Sequence, residues 1–400
     1  MKILVINSGS SSIKFRLVES TSGEVLAGGL LERIGLAEGR MEYRRGSDEK
    51  IRTDLPIPSH QVGLSLVLRN LADPGHGALG SLSEIQAVGH RVVHGGERFT
   101  QAVLITPEVV SEIEENSFMA PLHNPANLLG IRAAIEMLEG VPNVAVFDTS
   151  FHQTMPPVAY VYPLTWELYK DKGFRRYGFH GTSHQYVAER TATILGRPVS
   201  ELNIIVCHLG NGSSITAVRG GRSIDTSLGF GTMCGVMMGT RSGDVDPAIL
   251  LELMESHGMS ASEVKDLVYK KSGLLGISGV SSDMRDVEQA ADAGSERAKL
   301  ALDLFADKVR KYIGGYAVTL GSVDAVTFTA GIGENGWEIR ETICAGLEAI
   351  GARLDIEANR FRGQERIVST PDSRVKLLVV PTNEELMIAI ETERILGLRS

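Results

Sequence analysis

Cysteine is scarce. The 400 residues hold three, Cys207, Cys234 and Cys344, odd in number, far apart and without a C-x-x-C pair. This excludes a disulfide framework and suits a reducing compartment. Long apolar runs are also missing. No stretch reaches the ~18 residues of a membrane span, and the apolar start MKILVI breaks into Asn-Ser-Gly too early for a signal-peptide core. A cytoplasmic protein with no membrane partner is expected. Positive charge is in deficit: 40 Lys and Arg against 49 Asp and Glu give a net charge of −9. That argues against nucleic-acid binding, which needs a basic face. An anionic substrate must then be drawn by a locally positive site. No G-x-x-x-x-G-K-[ST] occurs, so P-loop chemistry is excluded.

What is present describes an ordinary globular chain of two or three domains, 43% hydrophobic and 22% charged. Its 44 glycines cluster at strand ends, where tight turns and close backbone–ligand approach need them. Short, mostly buried strands are expected at ILVIN, AVGHRVV, VAVFDTS, NIIVCHL, AVTFTAG and VKLLVVP. Between them lie capped helices. Asn124-Pro125 opens one that Gly140 closes. Asp246-Pro247 opens another, with Ile249, Leu250, Leu253 and Met254 facing inward. Ser260 with Glu263 forms a capping box, and a long helix runs from about Ser295 to Leu320. The alternation predicts α/β layers.

The chain also echoes itself. ILVINSGSSSIKFRLVE and NIIVCHLGNGSSITAVRGG share one grammar: apolar strand, polar residue, Gly/Ser/Asn turn, Ser-Ile, second strand. Gly9 answers to Gly210, and Ser12-Ile13 to Ser214-Ile215. The spacing predicts two domains of similar topology with a ligand held between them. In the first turn, Ser10 and Ser12 offer hydroxyls and backbone N–H groups to an anion.

Two fingerprints of the form G-x-G-x-x-G need sorting. GHGALG (Gly75 to Gly80) follows a loop and reads as a surface turn. GIGENG (Gly331 to Gly336) follows a strand and reads as a strand–turn–helix backing an adenine nucleotide. His90 with His94, and His180 with His184, lack a third ligand of metal spacing, so zinc is not expected. His152 and His257 read as structural or solvated. Where strands end stand GHRVVHGGE with Arg91, APLHNP with His123, VAVFDTS with Asp148, YGFHG with His180, MMGTRSGDVDP with Arg241, and VVPTNEE with Asn383 and Glu384. Two arginines, a histidine and Lys14 beside turn glycines form a candidate anion clamp. Phosphoryl transfer fits: positioned cations, a metal held by one or two oxygens (Glu384 or Asp148), and backbone amides for phosphates.

VINSGSSSIKF, GHRVVHGGE, PLHNP, FDTSFHQTMP, YGFHGTSH, HLGNGSS, MMGTRSGDVDP, SGVSSDMRD, TAGIGENG and PTNEELMIA together resemble the acetate kinase family, nearly end to end. The resemblance implies two duplicated actin-like (ribonuclease H-like) α/β domains with an inter-domain active-site cleft: residues 1–150 plus 386–400, and residues 151–385. It implies a homodimer that converts ATP and acetate reversibly to ADP and acetyl phosphate with Mg²⁺, for which Mn²⁺ can substitute. Carried over residue by residue, Asn7 and Glu384 would bind the metal. Lys14, the run His208, Leu209, Gly210, Asn211 and Gly212, then Asp283, Met284 and Arg285, and Gly331, Ile332, Gly333, Glu334 and Asn335 would bind the nucleotide. Arg91 would hold the acetate carboxylate. His180 and Arg241 would stabilise the transferring phosphoryl group, with His180 expected as an imidazolium. Asp148 is the family's acid/base residue. Acetate is already ionised at neutral pH, so Asp148 is expected to orient Arg91 or a metal-bound water.

Val93, Leu122 and Phe179 would line the acyl pocket. One departure lies beside it. The family's TPLEG reads GTMCG here (Gly231 to Gly235), placing Thr232 and Cys234 where a proline and an acidic residue are usual. Acyl preference, and so propionate or another short-chain acid as substrate, stays open. A sugar kinase, a pyrophosphate-dependent kinase and an actin-like nucleotide-hydrolysing conformational protein are the alternatives.

Overall fold

The computed structural model describes residues 1–397; the last three positions of the expected first domain, 398–400, lie outside it. The chain divides into two compact units, Met1–Phe151 with the segment from Asn383 onward, and His152–Thr382.

The first unit is built on eight strands: β1 (Lys2–Ser8), β2 (Ser12–Glu19), β3 (Glu24–Glu32), β4 (Gly39–Arg45), β5 (Ile51–Leu55), β6 (Ala87–Val92), β7 (Val103–Leu104) and β8 (Asn143–Phe147). Their order is β5-β4-β3-β2-β1-β6-β8-β7. β1 to β5 form an antiparallel meander, while β6 runs parallel to β1 and β8 parallel to β6. β1 and β8 are apolar on both faces because helices cover both. The helices His60–Leu71 and Asn124–Met137 pack on one side, burying Leu64, Leu68, Ala133 and Ala134 against Leu4, Ile6 and Phe15. The helix Glu384–Ile395 packs on the other, setting Ile388 and Ala389 against Ile3, Val5, Val144 and Val146.

The second unit repeats this plan with six strands: β9 (Asn203–Leu209), β10 (Ser213–Arg219), β11 (Arg222–Thr226), β12 (Ala325–Thr329), β13 (Arg366–Ile367) and β14 (Lys376–Val379), in the order β11-β10-β9-β12-β14-β13. β9 and β10 form the antiparallel hairpin, and β12 and β14 follow in parallel. The echo in the sequence is thus an echo of topology. Both Gly/Ser turns close on themselves, Gly9 N–H to Ser12 O at 2.8 Å and Gly210 N–H to Gly212 O at 3.2 Å. The helix Glu296–Leu320, capped by Ser295, backs the second sheet through Ala298, Phe305, Val309 and Ile313.

Two expectations are corrected. GIGENG is helical: Ala330–Asn335 forms a short helix and Trp337–Cys344 a second. Arg340, wholly buried, fixes their junction by donating to the Gly333 and Glu334 carbonyls and to Asn359. The inward face assigned to the helix Pro247–Glu255 also fails at Ile249, which is 52% exposed, and no residue of that helix is buried. Apolar periodicity marks a face but does not say what covers it.

Candidate active site

In the first unit the polar residues gather at the carboxyl ends of the parallel strands, where open α/β sheets bind ligands. Asn7 and Arg91 are the penultimate residues of β1 and β6, and Asp148 follows β8. Arg91 donates from Nε and Nη2 to both oxygens of the buried Asp148, at 2.9 and 2.6 Å, and from Nη1 to Asn7 Oδ1 at 3.5 Å. Burial alone would lower the Arg91 guanidinium, but Asp148, with Glu384 and Glu385, holds it above its ordinary range. Glu384 opens its helix, and its side chain forms no hydrogen bond or ion pair among the described residues. Burial pushes its carboxyl up, only partly offset by Arg91.

An amide oxygen and an unpaired carboxylate are hard donors of the kind Mg²⁺ takes, one or two at a time. Asn7 and Glu384 therefore fit the metal role. Lys14 is committed to Glu385, which also lies 3.8 Å from Arg16. Against burial, those two cations keep the Glu385 carboxyl low.

The sequence reading missed what holds these groups in place. Asn127 accepts from Val93 N–H at 3.1 Å and donates to the Ser8 carbonyl at 2.7 Å, tying β1 to the HGG loop. Asn124 brackets His94 in the same way. His60 donates to the Gly9 carbonyl at 2.7 Å and anchors the SGSSS turn, beside which Ser10 lines a second cavity. Val93 is buried, whereas Leu122 is 69% exposed.

In the second unit a cavity of about 540 Å³ is lined by Gly210 and Asn211, by Ser282, Asp283, Met284, Arg285 and Glu288 at the start of the helix Met284–Asp292, by Gly331, Ile332, Asn335 and Gly336, and by Arg362. Its size suits a nucleotide. Eight of the nucleotide-binding candidates lie on it. Lys14, His208, Leu209, Gly212, Gly333 and Glu334 do not; Glu334 instead accepts from Thr382 N–H. Asp283 caps the helix and pairs with Arg285, which holds its carboxyl at about 2. Glu288 is the unforeseen member. Burial, with Glu338 nearby, pushes it to about 7. Among the described residues, one buried oxygen of each of these glutamates has no hydrogen-bond partner.

Beside this cavity's Gly210 end sit His180, His208 and Arg241. His180 caps the helix Gly181–Leu195 in a left-handed conformation (φ 58°, ψ 25°), held by His152, which donates to the Phe179 carbonyl at 2.9 Å. Its ring stacks on His208 with centroids 4.2 Å apart. A Cβ built on Gly212 would lie 3.6 Å from both His180 Nε2 and Arg241 Nη1, so the turn, the imidazole edge and the guanidinium face one small volume. Arg241 donates to the Thr232 carbonyl at 3.0 Å and has no carboxylate partner among the described residues. Burial lowers its pKa from the ordinary value. A half-buried guanidinium without a counter-ion is an anion site in waiting. Cys234, also half-buried, is pushed up by burial and by Asp244.

A model of the acetokinase family matches residues 2–390. The chain is 55% identical to the acetate kinase of Thermotoga maritima over 398 residues, 99% of this chain and 98% of the relative. Among solved structures it resembles the acetate kinase of Porphyromonas gingivalis (TM-score 0.95, 47% identity, 99% of both chains) and a propionate kinase of Francisella tularensis (TM-score 0.91, 41% identity, 98% and 99%). Agreement of this extent, in sequence and in fold, makes the chain a member of the acetokinase family.

Proposed function

We propose that the protein is an acetate kinase that transfers a phosphoryl group reversibly and in line from ATP to acetate, giving acetyl phosphate and ADP. The observation that carries the reading is Arg241: a half-buried guanidinium with no carboxylate partner among the described residues, facing the Gly212 turn and His180 beside the Gly210 end of a nucleotide-sized cavity. An acetate oxygen forms its bond to the γ-phosphorus as the bond from phosphorus to the β-bridging oxygen breaks, and that electron pair leaves on ADP. The nucleophile is already an anion, so no base is needed. The barrier is repulsion between anions, and fixed cations and N–H donors lower it.

The first unit supplies the carboxylate end. With Nε and one Nη2 N–H on Asp148 and Nη1 reaching Asn7, Arg91 has one further N–H on each of Nη1 and Nη2 to offer acetate while Asp148 fixes its plane. The second unit supplies the nucleotide end. Asn7 and Glu384 would hold Mg²⁺, which when bound neutralises phosphate charge. Val93, Leu122, Phe179 and Thr232 are assigned to the acyl group, and Lys14, Ser10 and Ser12 to the phosphates. A homodimer in the cytoplasm completes the reading. No helix among the described residues is long and apolar enough to cross a membrane.

Hydroxamate trapping tests the activity. Acetate-dependent ADP release with Mg²⁺ and a trapped acyl phosphate are expected. ATP hydrolysis indifferent to acetate would favour the actin-like alternative.

A further inference from the structure

Ser214 in β10 stands between two imidazoles. Its Oγ lies 2.9 Å from His180 Nδ1 and 2.7 Å from His184 Nε2. His184 is wholly buried, and its Nδ1 has no hydrogen-bond partner among the described residues. Burial, with His152 and His208 nearby, keeps its pKa well below the ordinary histidine value. His184 is therefore neutral and carries one N–H. On Nδ1 that proton would be a buried donor facing nothing, the arrangement that folded proteins avoid most consistently. On Nε2 it meets Ser214 Oγ. The serine hydroxyl has a single proton, and with His184 donating to its oxygen, that proton is directed at His180 Nδ1.

We propose that His184 and Ser214 are positioning residues that hold His180 as a neutral imidazole with its proton on Nε2, a fixed N–H donor to the transferring phosphoryl group. This rests on the reading that His180 faces that group, and it replaces the imidazolium expected from the sequence. The surroundings agree. Groups that face His180 include His208 stacked on its ring, Arg241 across the Gly212 turn, His184 through Ser214, and His152 through the Phe179 carbonyl. Each would be positive if charged, and each disfavours a second positive charge on His180. Protonating Nδ1 would also turn the serine proton back onto His184 and drive the His184 proton to its partnerless nitrogen. A neutral donor suits the chemistry, because no proton changes hands when a carboxylate attacks phosphorus.

Nitrogen-15 NMR of the full-length protein labelled at histidine tests the assignment, with His180→Asn identifying the resonances. Between about pH 6 and 8, where a free imidazole titrates, His180 is expected to show a pyrrole-type Nε2 and a pyridine-type Nδ1. An imidazolium signature, or the proton on Nδ1, would overturn the proposal. In Ser214→Ala the His180 titration moves up toward the ordinary ~6.5, and turnover falls up to about tenfold, one neutral hydrogen bond's worth, at unchanged KM for ATP. An unmoved titration in that variant also counts against the relay. The wild-type spectrum decides the matter even where the variant folds poorly. It is independent of the acyl-phosphate assay, so failure of the activity and failure of the relay are told apart.

Discussion

Arg241 and Asp148 form a contrast: a cation with no carboxylate partner among the described residues, and an anion paired with Arg91. Arg241→Ala is expected to lower turnover about 10²–10³-fold, as loss of one transition-state donor does, while ADP affinity by calorimetry stays nearly unchanged. Asp148→Asn leaves the Arg91 fork without its second charge. A loss of turnover is expected with the pH profile unmoved. A profile shifted by more than one unit, with magnesium dependence untouched, would make Asp148 a proton carrier instead. Glu288 behaves differently. Its folded pKa, about 7, lies above that of the unfolded chain, so the neutral form belongs to the folded state. Its stabilising contribution is complete below about pH 4.5 and fades as pH rises through about 7. Urea midpoints measured from about pH 5 to 8 should therefore fall more in the wild type than in Glu288→Gln.

At the scale of elements, loops are held by buried amides. Asn127→Ala strands the Val93 N–H and the Ser8 carbonyl together. A loss of about 1–3 kcal/mol in urea unfolding is expected, the cost of buried groups left unpaired. Gly239 has a steric duty: a Cβ there would lie 1.8 Å from Asn211 Oδ1. Gly239→Ala should weaken ADP binding with little effect on the second unit's stability. These elements also show what the sequence made legible. Strands were readable because their runs are apolar on both faces, and caps such as Ser260 with Glu263 because they are local. Arg91, Asp148 and Arg241 stood out as charges beside turn glycines. Asn127, His60, Ser214 and Glu288 did not, because their partners are distant in the chain. Asn127 and Ser8 are 119 residues apart, and no local pattern encodes such a pair. GIGENG misled because its glycines suggest a turn, whereas the carbonyls at its end are gathered by Arg340, a partner visible only in three dimensions.

At the scale of the whole molecule, acyl preference is the property least fixed by composition. Thr232 offers its carbonyl to Arg241; under the proposed assignment its hydroxyl and methyl are left for the acyl group. One methylene is worth only ~1–3 kcal/mol in such a pocket. Ratios of kcat/KM for acetate, propionate and butyrate measure it, with acetate expected first; a preference for butyrate would overturn the assignment. The plan of the chain has a consequence for its synthesis. The first sheet is closed by the helix Glu384–Ile395, which follows the entire second unit in the chain. On the ribosome the second unit can mature while the first still lacks its final layer. Glu384 arrives with that layer, so the two oxygens proposed here for the metal, on Asn7 and Glu384, come together only when the chain's earliest residues find nearly its latest.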